Sequence, residues 1–310
     1  MGRGDPTDAE WERLRPFLPV GNGRCGRWRD HRQVINRIPH WVRTGVRWRD
    51  LPERFGPWKT VCERHRLWSG DGTWERLLQQ VRGAADAEGE IDWDISVDST
   101  IVHAHQHAAG ARTDPSPEPS AREGRKGETP GRDTVTKFRR PPGGGGAGGE
   151  GLGRSRGGFT SKLHLSGDGR CRPLSLIVAP GRRADCTQFI AVLEKIRVPR
   201  RGAGRPRVKP GSLAAGKAYG NGPVRKHLRR RGIRHTIPER SDSQAARPRK
   251  GSRGGRPPGF DKDRRKKRNT VERPINRLKQ FRAVATRYDK RGYVILDTAT
   301  AAALAVRLRM

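Results

Sequence analysis

Residues Ile95 to Val102 read ISVDSTIV. β-Branched side chains dominate, and the apolar ones alternate. Ile95 and Val97 face one way, and Asp98, Thr100 and Val102 face the other, which is the period of two of a half-buried strand. A strand fixes its Cα atoms firmly, so Asp98 is a carboxylate held in a defined place. A second acid, Glu272, lies far downstream in Arg268 to Lys279 (RNTVERPINRLK), a basic run with helical character.

Two carboxylates brought together from distant parts of a chain suit phosphoryl transfer on DNA. That chemistry needs an activated water or 3′-hydroxyl and a stabilised pentacoordinate transition state. Two divalent ions about 3.5–4 Å apart supply both. Hard ions take oxygen ligands, so Mg2+, or Mn2+ in its place, is the expected cofactor. Asp98 is the natural bridging ligand, and Glu272 would hold one ion. A third acid is needed between them. The best segment for it, Leu213 to Tyr219 (LAAGKAY), offers only Gly216. Arg268, Glu272 and Lys279 are spaced by four and seven residues, so they fall near one helix face. Arg268 and Lys279 can then contact phosphates on either side of the acids, and Arg277 and Arg282 add positive charge.

Outward from these two segments the chain divides into a small helical part, residues 1–88, and a mixed α/β part, residues 89–310. In the first part Thr7 precedes Asp8, Ala9 and Glu10, a capping box. A helix from about Asp30 to Thr44 contains Pro39, which should kink or weaken it by up to roughly 3 kcal/mol. Two more helices follow, at about 58–69 and 72–87. Most tryptophans here are expected to cement the packing, with Trp48 and Trp58 the exceptions. The helical part is a candidate DNA-binding module. In the second part residues 104–157 are rich in Gly, Pro, Arg and Ser, and are expected to form a flexible loop between two strands. Strands are expected at Phe159 to Leu165, Cys171 to Val178, Leu213 to Ala218 and Ile233 to Ile237. Helices are expected at about 185–196, 222–231, 269–283 and 293–308, and a long basic loop at 239–267. The economical solution is a mixed sheet with helices packed on it.

The chain has 310 residues, with 67 Lys plus Arg against 32 Asp plus Glu, a formal charge of +35. Such an excess implies a polyanionic partner, most simply double-stranded DNA. Arginine suits phosphate contacts because its planar fork donates in pairs. Nothing approaches the run of about 18 apolar residues that spans a bilayer, and the first residues lack a signal-peptide pattern. The four cysteines, Cys25, Cys62, Cys171 and Cys186, form no close pair. A cytoplasmic protein is expected.

Several segments together resemble the transposases of the insertion-sequence 5 family, DDE enzymes with a ribonuclease-H-like core. They are ISVDSTIVHAHQHAAG (95–110), GRSRGGFTSKLH (153–164), KAY (217–219), RRGIRHTIPE (230–239), GSRGGRPP (251–258) and RNTVERPINRLKQFR (268–282), running on into ATRYDK (285–290). The stretch WRDLPERFGPW (48–58) resembles the small helical domain that precedes the core in such proteins. The resemblance makes Asp98 the first acid and Glu272 the last, with Arg268 and Lys279 completing the signature around it. Arg265 stands where the family usually has Tyr, and is counted with the DNA-binding residues. The second acid normally precedes the KAY run, and that residue is Gly216. The resemblance implies metal-dependent cleavage and strand transfer at terminal inverted repeats, and a homodimer that handles both ends together.

Gly216 departs from that pattern by removing a metal ligand. Pro274, two residues past Glu272, is a second departure, tolerable if Glu272 lies in the first helical turn. The alternative reading is therefore a catalytically inactive DNA-binding remnant, and a third is a basic RNA-binding protein. Asp185 and Asp168 are the acids that could substitute. Asp185 is expected to cap a helix and Asp168 to sit in a turn. His103, His105 and His107 would line one strand face and could invite zinc.

Overall fold

The computed structural model describes residues 5–19, 30–110, 150–259, 261 and 269–309. Four helices come first: α1 (Asp8–Leu14), α2 (His31–Thr44), α3 (Trp58–Gly70) and α4 (Thr73–Ala87). The capping box at α1 is complete. Glu10 N donates to Thr7 Oγ1 at 3.2 Å, and Thr7 N donates to Glu10 Oε2 at 2.7 Å. α2 runs through Pro39 and stops at Gly45, which adopts φ 64°. The buried face of Val34, Ile35, Ile38, Trp41 and Val42 carries the helix past the proline. Trp48 is not an exception to the packing role, because its ring stacks on Trp41 at 3.9 Å.

The rest of the chain alternates strands and helices. In order these are β1 (Asp94–Ala104), α5 (Gln106–Ala109), β2 (Gly153–Ser155), β3 (Gly158–Gly167), β4 (Pro173–Pro180), α6 (Asp185–Glu194) and β5 (Ser212–Ala215). They continue with α7 (Gly222–Arg230), β6 (Arg234–Thr236), α8 (Ser241–Arg249), α9 (Asn269–Lys279), α10 (Arg282–Ala285), β7 (Thr286–Arg287) and α11 (Gly292–Leu308). The sheet order is β2-β3-β1-β5-β6, with β4 beside β3 and β7 beside β1. β1–β3 and β3–β4 are antiparallel, whereas β1–β5 and β5–β6 are parallel. This is a ribonuclease-H-like mixed sheet with flanking helices, preceded by a helical region.

Each face of the sheet has its own apolar cluster. Ile95, Val97, Leu213 and Ala215 point into one, with Phe189, Val192 and Leu193 of α6 and Val224 and Leu228 of α7. Val102, Leu163, Leu165 and Leu176 point into the other. That second cluster also holds Ile275 and Leu278 of α9, much of α11, and most of the buried apolar side chains of α1 to α4. α11 packs against β4 on one side and α2, α3 and α4 on the other. Gly45 marks how close this seam is. A Cβ there would lie 2.8 Å from Arg282 Cβ.

Three further sequence expectations need correction. The span 104–157 is not all loop, because α5 and β2 lie inside it; residues 111–149 are outside the described residues. β2 is short and glycine-rich, which hides its period, yet Gly153, Arg154 and Ser155 pair with β3. The span 239–267 contains α8, whose low amphipathicity left no apolar stripe to read. The helix expected at 269–283 ends at Lys279, and α10 starts afresh at Arg282. Among the described residues no helix is long and apolar enough to cross a membrane.

Candidate active site

Asp98 lies in the middle of β1, half-buried, opposite Leu165 of β3. Its Oδ1 accepts from the Ser99 amide at 2.9 Å. Residues opposed across strands share a face, and Leu165 belongs to the cluster that contains Ile275 and Leu278. Asp98 therefore faces the side on which α9 packs. β1 and β5 run parallel, with Val97 beside Ala215 as the last paired step. One residue further puts Asp98 beside Gly216, whose backbone remains extended at φ −68°, ψ 164°. Position 216 thus shares Asp98's face.

α9 carries Glu272 in its first turn, and Pro274, two residues on, lies inside the helix. Pro274 seats against β3, since a Cβ on Gly167 would meet Pro274 Cγ at 3.3 Å. Gly167 pairs with Ser96, one same-face step from Asp98. Ile275 and Leu278 hold the helix down, leaving Glu272 and Lys279 exposed and Arg277 half-buried. Arg282 is exposed at the start of α10. Arg265 and Arg268 lie outside the described residues. The structure therefore brings Asp98, position 216 and the Glu272 helix onto one face.

Gly216 is buried, yet a Cβ built on it meets nothing within 4 Å. The place of the missing side chain has not been filled by a neighbour. Among the described residues, neither acid that could substitute has moved in. Asp185 is the first residue of α6, on the opposite face, where Lys162 Nζ lies 2.8 Å from its Oδ1. It does not cap the helix, because Ala184 is the N-cap residue. Asp168 is fully buried in the β3–β4 turn. It accepts from the amides of Arg170 and Arg172 at 3.1 and 2.8 Å and from Arg172 Nε at 3.0 Å, with Arg307 Nη2 3.7 Å away.

Two divalent ions need a bridging carboxylate and one more for each ion. The sequence supplies Asp98 and Glu272 and, at the third position, only backbone. Among the described residues no three His, Cys, Asp or Glu side chains gather as a metal-holding group. The donors present are one carboxylate short of a two-ion site. The three histidines do not share a strand face either. β1 ends at Ala104, and His105 starts α5, its Nδ1 accepting from the His107 amide at 3.3 Å.

Two buried polar groups near this end of the sheet escaped the sequence reading. Tyr219, fully buried against Phe189, has its phenol pushed up by burial and by the nearby carboxylates of Asp185 and Asp98. His164 pairs with Ser99 across the strands and is held neutral, its pKa lowered to about 4 by burial. The KAY run was the only available pointer to Tyr219. His164 had none, because a histidine on the buried phase of a strand looks like any other residue there.

Residues 91–303 match the family model described as "Transposase DDE domain", and residues 7–78 match the one for transposases of the IS4/5 family. A protein of Sinorhizobium fredii (strain NBRC 101917 / NGR234), "Uncharacterized protein y4sN", is 42% identical over 106 residues, covering 34% of this chain and 81% of that protein. The "Insertion element IS402 uncharacterized 16.2 kDa protein" of Burkholderia cepacia is 32% identical over 105 residues, covering 31% and 71%. Among solved structures, a Mos1 transposase paired-end complex with left transposon end aligns over 93% of this chain and 90% of that one. Its identity is 13% and its TM-score 0.25.

Proposed function

Because this chain belongs to the DDE transposase-domain family, with the IS4/5-type helical region ahead of the domain, we propose that it binds the terminal inverted repeats of an insertion sequence and has lost the ability to cut them. One observation carries this reading. The position that should supply the second carboxylate is Gly216, and among the described residues neither Asp185 nor Asp168 replaces it. In this reading Asp98 and Glu272 are the two acids that remain. Lys279, Arg277 and Arg282, with Arg265 and Arg268, hold the DNA phosphates around them. Residues 1–88 read the element ends, residues 89–310 form the disarmed core, and two copies bridge the two ends. The protein works in the bacterial cytoplasm, on the nucleoid.

Losing a shared ligand weakens the second ion and removes several kcal/mol of transition-state stabilisation. Magnesium, or manganese, would activate the nucleophile only in a chain with the third acid restored. The open space at position 216 makes that restoration testable. A supercoiled plasmid carrying inverted repeats is expected to be bound by the natural chain without nicking in Mg2+. The Gly216→Asp variant is expected to nick it. Equal, robust nicking by both would remove the reading, and so would equal affinity for repeat and unrelated duplexes.

The alternative, a working transposase, draws on one feature: Asp98 and the Glu272 helix keep a common face. In that case the natural chain itself nicks the plasmid, and Asp98→Asn abolishes nicking.

A further inference from the structure

At the other end of the parallel strands lies an open groove of about 740 Å³, lined by Arg200, Arg201, Arg207, Lys209 and Gly232, with Asp86 of α4 on its far wall. Gly211 and Gly216 bracket β5, so the groove and the two-acid site are about 16 Å apart along the strand at roughly 3.3 Å per residue. Four cations against one carboxylate line it.

The loop that carries these cations is built, not merely charged. Val198 N donates to Arg207 O at 3.0 Å, and Arg207 N donates to Val198 O at 2.8 Å, closing the loop on itself. Pro199 presses on α4 so tightly that a Cβ on Gly83 would lie 2.8 Å from Pro199 O. The Arg207 guanidinium lies 4.1 Å from the centre of the Trp93 ring and 3.6 Å from Asp86 Oδ1, which also accepts from Trp93 Nε1 at 2.8 Å. Arg200, Arg201 and Lys209 are exposed, and Arg231 and Arg234 flank Gly232 along the chain. Cations on an ordered loop lose less entropy on meeting phosphates than cations on a floppy one.

The shape and chemistry select the ligand. An open trough fits a continuous polyanion better than a small phosphate ester. Trp93 is buried beneath Arg207, so no aromatic ring is offered for base stacking, which argues against single strands. The cations reach phosphates and carry no base-reading fork held against a groove floor. We propose that this groove is a second, sequence-neutral site for duplex DNA, distinct from the surface that meets the element end. It rests on the DNA-binding part of the function proposed above. In that frame it holds DNA outside the element.

The test is fluorescence anisotropy with unrelated duplex and repeat-end duplex over a salt series. A variant with Arg200→Gln, Arg201→Gln and Lys209→Gln is compared with one bearing Arg170→Gln, Arg182→Gln and Arg183→Gln, three exposed arginines elsewhere. The groove variant is expected to bind unrelated duplex roughly tenfold more weakly, with the slope of log K against log salt smaller by about 2–3. The second variant keeps the parent slope. An unchanged slope in the groove variant would overturn the proposal, and so would equal losses in both variants. Preferential displacement of the duplex by single-stranded RNA would overturn it as well. Failure of the earlier reading shows separately, as a parent chain with no preference for repeat ends. Circular dichroism confirms that each variant folds.

Discussion

Single residues decide both what this chain has lost and what it still tolerates. Gly216 and Gly45 are opposite cases. At Gly216 the backbone is extended and the surrounding space open, so a side chain can return at little steric cost. At Gly45 the backbone is left-handed and Arg282 Cβ stands 2.8 Å from where a Cβ would be. Gly45→Ala is therefore expected to lower stability by about 1–3 kcal/mol, combining positive-φ strain with overpacking. Urea unfolding measures it, and a loss below about 0.5 kcal/mol would mean that the seam yields. Asp98 was legible in the sequence because a strand's alternation is a local signal. The role of Gly45 was legible only as a helix stop, because its neighbour Arg282 is distant in the chain. The arginines were the least legible. Arg37, Arg64, Arg82, Arg172, Arg287 and Arg307 are buried, so part of the positive charge that suggested DNA serves the interior instead. Arg37 donates to the Phe55 and Gly56 carbonyls, and Arg287 to the Asp289 and Lys290 carbonyls.

At the scale of elements, packing overrides local preference. α2 keeps Pro39 because its apolar face is buried on both sides of the proline. Pro39→Ala restores an amide donor and removes a ring clash, so a gain of up to about 3 kcal/mol is expected. A lower melting temperature would show that the proline ring fills space the alanine leaves empty. The pairing of α3 with α11 sets a pH response. His65 Nε2 lies 3.1 Å from Thr298 Oγ1, which donates to Asp289 Oδ2 at 3.1 Å. Burial lowers the His65 pKa to about 3 and raises that of Asp289 to about 6. A depressed histidine stabilises fully above its unfolded value near 6.5 and loses that as pH falls toward its folded value. A raised aspartate does the reverse, losing stability as pH rises from its unfolded value near 3.8 through about 6. His65 spans more pH units, and His164, lowered to about 4, acts in the same direction. Net stability should fall on acidification below about pH 6.5, by about 1.4 kcal/mol per pH unit for each proton taken up. Asp289→Asn is expected to steepen the fall and His65→Gln to flatten it. A flat melting profile from pH 7 to pH 4 would contradict the assignment. Helices and strands with a clear apolar stripe were readable beforehand. β2 and α8 were not, because glycine and exposed charge erase periodicity.

For the whole molecule, the sequence offered a boundary near residue 88, where helical runs give way to an alternating strand, but no sign of what crosses it. Most of the buried apolar side chains of α1 to α4 belong to the same cluster as α9, α11 and one sheet face. Unfolding is therefore expected to be a single cooperative transition, with calorimetric and van't Hoff enthalpies equal. Two separated heat-absorption peaks would show that the helical region melts on its own. A fragment of residues 89–310 should bind hydrophobic dye strongly, since it uncovers the α11 face that packs on α2, α3 and α4. That helix, sandwiched between sheet and helical region, has an evolutionary consequence. The part proposed to read element ends cannot be traded between relatives like a cassette. Any chimera must import a C-terminal helix matched to its new front end. Sequence drift in the recognition half is thus tied to drift in the last turns of the chain, and hybrids joined near residue 88 should fail unless both are exchanged together.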